Sequence, residues 1–121
     1  MSKAACIAKL NDLARTAMGA AGKLYQTDGI NALPAADQSR IREQVKLFNT
    51  FTPDNDPHGE HDFGSFEYVR HLDSDQNFQE VKVRIFWKID YYDKKMEFGS
   101  EDPSDPAQTT RLLTIMLAEE Y

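Results

Sequence analysis

From Val81 to Tyr92 the chain alternates two kinds of residue without a break. Val81, Val83, Ile85, Trp87, Ile89 and Tyr91 interleave with Lys82, Arg84, Phe86, Lys88, Asp90 and Tyr92. Successive side chains on a strand point to opposite faces, so this spacing predicts a β-strand with one continuously apolar face. The other face mixes cations with aromatics. A run that buries one whole face belongs at the centre of a sheet, with a second layer packed over it. Its neighbours supply the flanking strands. Phe63 to Leu72 reads as a strand and the polar Asp73-Ser74-Asp75-Gln76-Asn77 as its turn. Asp93-Lys94-Lys95 then turns into a short strand from Met96 to Gly99. Connections this short predict an antiparallel meander.

The layer over that sheet comes from helical spacing elsewhere. Residues 2–18 put Ile7, Leu10, Leu13, Ala14 and Ala17 on one face of an amphipathic helix, ended by Gly19 and Gly22. Lys23 to Gln26 reads as a short strand closed by an Asp28-Gly29 turn. Pro34 suits the first turn of a second helix running through residue 49. Asp37 lies near its positive end, and Ile41, Val45 and Phe48 form its apolar stripe. Asp105, Pro106 and Gln108 have the pattern of a helix start. Leu112, Leu113, Ile115, Met116 and Leu117 therefore predict a last helix, buried against Trp87 and its strand. The expectation is one α+β domain over residues 1–121: an antiparallel sheet of three or four strands with helices packed on one face.

Between the second helix and the sheet lies FTPDNDPHGEHDFG, Phe51 to Gly64. Its prolines and glycines exclude a regular helix or a central strand, so it is a loop. It gathers Asp54, Asp56, Glu60, Asp62, His58 and His61 with no Lys or Arg. A second acidic, proline-bearing loop follows at residues 101–105 with Glu101 and Asp102. The binding residues expected are Asp54, Asn55, Asp56, His58, Glu60, His61, Asp62, Glu101 and Asp102.

Two chemistries compete for the first loop. His58, His61 and Asp62 are residue types that ligate zinc or iron. Yet the two imidazoles sit i, i+3 across a glycine, and the helical HExxH spacing is missing. Asp54-Asn55-Asp56 begins like a calcium loop with Gly59 in sixth place, but Ser65 stands where the bidentate Glu belongs. Asx-turns, with the histidines satisfied by nearby carboxylates, account for the same residues without a ligand. No metal or cofactor is expected. No catalytic residue is assigned either, because the chain has no G-x-S-x-G, no Cys beside a His and no phosphate-cradling glycine loop. A noncatalytic protein is favoured over an enzyme.

Charge narrows the partners. The net charge is −6, with seven Lys and Arg against four Asp and Glu in residues 1–50, and seven against sixteen thereafter. Direct nucleic-acid binding needs a basic face and has no support in this balance. Trp87 and Tyr91 beside Lys88 would suit base stacking, but the alternation puts both aromatics on the core face. A partner with a cationic surface suits the acidic half. The single cysteine, Cys6, allows no intrachain disulfide and fits a reducing cytoplasm, where it fills space on the first helix. No apolar run is long enough to span a membrane.

Three segments carry a family resemblance: FTPDNDPHGEHDFG, FWKIDYYD at Phe86 to Asp93, and the ending FGSEDPSDPAQTTRLLTIMLAEEY. Together they resemble the uncharacterised bacterial domain-of-unknown-function family 3768 over essentially the whole chain. Ser65 to Val81 is longer and more polar than the hairpin that resemblance implies. The resemblance implies no established activity and a setting on mobile elements. In that setting a small acidic protein-interaction module is expected, an anti-defence inhibitor of the anti-CRISPR or anti-restriction kind. It would occupy a cationic, nucleic-acid-binding surface of a host complex. The alternative is a metal-binding protein or metal-dependent hydrolase centred on His58-Gly59-Glu60-His61-Asp62.

Overall fold

A computed structural model describes residues 2–74 and 77–121. The alternating run is the long strand at the heart of a four-stranded sheet. We number the strands β1 (Lys23–Gln26), β2 (Phe63–Ser74), β3 (Asn77–Tyr92) and β4 (Thr110–Leu117), and the sheet order is β1-β4-β3-β2. β2 and β3 pair antiparallel from Phe63↔Lys88 to Ser74↔Asn77. The centre of the turn expected between them, Asp75 and Gln76, lies outside the described residues. Trp87, Ile85 and Ile89 are buried, as the alternation requires, and Trp87 is 0% exposed.

Two sequence expectations are corrected here. Residues 110–117 form β4 rather than a helix, antiparallel to β3 in the register Trp87↔Ile115 and Ile89↔Leu113. The helix start at Asp105 forms only a local turn, in which Asp105 accepts from the backbone N–H of Ala107 and the side-chain amide of Gln108. The strand expected at Met96–Gly99 is also absent. Met96 sits at φ 60°, a left-handed conformation no strand residue adopts, and Asp93 accepts from the backbone N–H of Glu97 to close a tight turn. Only the single bridge Tyr92↔Gly99 remains. The sheet is also mixed, because β1 pairs parallel to β4 through Leu24↔Leu113.

Three helices complete the α+β fold: α1 (Lys3–Ala17), α2 (Asp28–Asn31) and α3 (Ala35–Leu47). Ser2 caps α1 by accepting from the backbone N–H of Ala5. The core joins Ile30 of α2 and Ile41 and Val45 of α3 to Tyr68, Ile85, Trp87, Ile89, Leu113 and Ile115. Where an Asp28-Gly29 turn was expected, the chain makes the short α2 and inserts Ile30 into that core. α1 is rotated relative to its expected face. Ile7, Ala8, Asn11, Ala14 and Arg15 are buried, while Leu13 is 56% exposed.

Candidate functional site

The acidic loop is held from the inside by α1. Asn11 is completely buried, and each end of its amide is used. Its Nδ2 donates to the backbone carbonyl of Glu60 at 2.9 Å and to the Tyr91 hydroxyl at 2.8 Å, and its Oδ1 accepts from Arg111 Nε at 2.7 Å. The Tyr91 hydroxyl in turn donates to Glu60 Oε1 at 3.1 Å. Arg111 also donates to the Pro103 carbonyl and lies over the Tyr91 ring. One buried amide thus ties the first acidic loop, β3, β4 and the second acidic loop together, with both of its own N–H donors and its oxygen engaged. Burial raises the Tyr91 hydroxyl pKa; the Asn11 hydrogen bond opposes this, and Asp62 and Glu60 add to it. Burial lowers that of Arg111, opposed by Tyr91 and Glu60.

A second chain of contacts starts at α3. Arg15 is buried and donates to the carbonyls of Val45 and Lys46 in the last turn of α3 at 2.8 and 2.9 Å. Its other nitrogen donates to Asp12 at 3.1 Å. Asp12 sits 3.0 Å from His61 Nδ1, and His61 Nε2 faces Asp56 at 3.7 Å. Asp56, itself buried, accepts from the backbone N–H groups of Glu60 and His61 at 3.2 and 3.3 Å. The His61 ring stacks flat on Phe51, with centroids 3.8 Å apart and planes 6° from parallel. His61 is held at φ 55°, sparsely populated for a residue with a side chain, and Gly59 turns the chain at φ 68°. The loop is therefore one built conformation.

The expected site residues divide accordingly. Asp56 faces inward and holds the backbone, and the half-buried His61 ring lies between Asp12, Asp56 and Phe51. Glu60 and Asp62 are half-buried, and burial together with Glu60 and Asp56 raises the Asp62 carboxyl above its usual range, against its own backbone hydrogen bond and His58. Asn55 and Thr52 bond reciprocally: the Asn55 side chain accepts from the Thr52 N–H, the Asn55 N–H donates to the Thr52 hydroxyl, and the Asn55 amide also donates to the Thr50 carbonyl. Asp54 and His58 are exposed, and His58 lines a shallow cleft of about 380 Å³ with Phe51, Pro53 and His61. In the second loop Glu101 is exposed. Asp102 accepts from the N–H and hydroxyl of Ser104, which hold its pKa low, and pairs with Lys3 of α1 at 3.4 Å.

Asn11, Asp12, Arg15, Tyr91 and Arg111, which complete the site, were not among the residues expected from sequence. Their signal is faint: Ile7, Asn11 and Ala14 share one helical stripe, so a polar residue on it had to find buried partners. Among the described residues, no group of three or more His, Cys, Asp or Glu side chains is arranged to hold a metal ion. No helix among them is long and apolar enough to cross a membrane.

A family model described as protein of unknown function (DUF3768) matches residues 26–120, from the end of β1 to the end of β4 and the helical turn after it. No curated protein and no solved structure matches the chain.

Proposed function

The chain belongs to the DUF3768 family of proteins of unknown function, and from that premise we propose that it is a noncatalytic protein-interaction module working in the cytoplasm. The acidic loop and the 101–105 loop offer their outward carboxylates, Asp54 and Glu101, to a cationic partner surface. In the bacterial mobile-element setting that the family resemblance implies, the partner is a host defence complex and the surface is one that normally binds nucleic acid. Occupying it makes the protein an anti-defence inhibitor.

The observation that carries this reading is the division of labour within the loop. Asp56 and Asn11 are spent on holding the backbone, and Asp54 and His58 are left facing outward. A loop built before its partner arrives loses little conformational entropy on binding, so more of the contact energy appears as affinity. Both acidic loops are fastened to α1, through Asn11 and Asp12 on one side and Lys3 on the other. Net charge of −6 adds long-range attraction to a cationic target.

The test is quantitative affinity capture from the cell of origin, comparing the wild-type chain with an Asp54→Asn/Glu101→Gln bait. The expected result is one protein or complex retained by wild type, depleted on the neutral bait, and displaced by added nucleic acid. Equal retention on both baits would overturn the reading.

A further inference from the structure

The fold splits the apolar stripe of α1. Ile7 and Ala14 go into the interior, while Leu13 is left 56% exposed and Leu10 half-buried. Leu10, Leu13 and Pro106 floor an open groove of about 560 Å³. Across the same three residues it continues into a second of about 390 Å³, bounded by Gly22, Lys23, Lys94 and Arg111. Lys9 lines the first part, and Lys23 and Lys94 the second. All three ammonium groups belong to exposed residues. Unlike Lys3, Lys82 and Lys88, none has a carboxylate within 4.0 Å among the described residues. The carboxylate on the groove wall, Asp12, is already engaged by Arg15 and His61.

An exposed leucine in an apolar trough and unneutralised cations on its rim ask for one complementary ligand. We infer that this groove docks a segment of a partner protein whose apolar side chains are flanked by Asp and Glu. The apolar side chains cover Leu10 and Leu13, and the acidic flanks meet Lys9, Lys23 and Lys94. A small molecule suits the groove less well, because a trough open to water cannot enclose most of its surface. The inference does not rest on the carboxylates of the acidic loops, which attract the opposite charge, although Ser104 of the second loop lines the groove.

The test is selection from a random-peptide phage library on the full chain, followed by synthesis of the enriched peptides. Enrichment of sequences combining apolar residues with Asp and Glu is expected. Leu13→Glu should weaken their binding by at least about tenfold, a loss of roughly 1.4 kcal/mol. Lys9→Glu/Lys23→Glu/Lys94→Glu should weaken it too, while Asp54→Asn should leave it unchanged. Cys6, the chain's one cysteine, lines the groove and reports on location: bound peptide should slow its modification by a thiol reagent. The substituted side chains are exposed, and circular dichroism verifies that each variant folds. Selection without acidic–apolar enrichment, binding that survives Leu13→Glu and the lysine reversal, or an unprotected Cys6 would each overturn the inference.

Discussion

Asp62 carries the most readable charge effect in the loop. Burial is the main cause of its raised carboxyl pKa, and Glu60 and Asp56 add to it. Its ionised form is less favourable in the fold than in the unfolded chain. The fold is therefore relatively favoured below the ordinary value of 3.8, and that advantage is lost as pH rises through the folded pKa. Asp62→Asn removes the penalty. Thermal melts should show the variant more stable than wild type at neutral pH, with the gain shrinking on acidification toward 3.8. A variant less stable at neutral pH would contradict the account. At this scale the sequence disclosed which residues cluster in the loop, but not which way they turn. Asp56 and Asp54 are two residues apart and chemically identical. Only the fold, which places backbone N–H groups beside Asp56 and water beside Asp54, gives one a structural duty and leaves the other outward.

Among the elements, β3 was legible because period two over a dozen residues has no helical counterpart. β4 was not. Flanked by β1 and β3, it buries Leu113, Ile115, Thr114 and Met116 in succession, so its two faces are both apolar and alternation is erased. A short apolar run of that kind reads equally well as buried helix, and the Asp105 turn tipped the reading. Its eight residues and its β-branched Thr110, Thr114 and Ile115 were the contrary signal. In the core, Trp87 of β3 packs edge-on against Phe48 at the end of α3 at 5.5 Å and beneath Gly64 of β2. A Cβ at Gly64 would come within 2.2 Å of the indole nitrogen, so β2 accepts only glycine there without a shift of the ring. Trp87→Ala should cost about 3–5 kcal/mol in chemical denaturation. An unmoved midpoint would show that the core does not depend on this ring.

For the whole molecule, the division of charge read from the sequence survives folding in altered form. The acidic half does not present all its carboxylates as one patch. It uses Asp56 to fix a loop and Glu60 to close the Asn11–Tyr91 network, and turns Asp54 outward. The helix that anchors both acidic loops also bears the lysine-rimmed groove, so the two proposed binding surfaces share one element. Composition suggested only the sign of partner proposed for the loops, while the groove needed the rotation of α1 to become visible. The most direct test of the proposed role is the association rate of the captured partner with wild type and with Asp54→Asn/Glu101→Gln, from about 50 to about 300 mM salt. The account predicts that wild-type association is faster at low salt, slows as salt rises, and converges on the rate of the neutral variant. Equal rates for the two proteins, indifferent to salt, would contradict it.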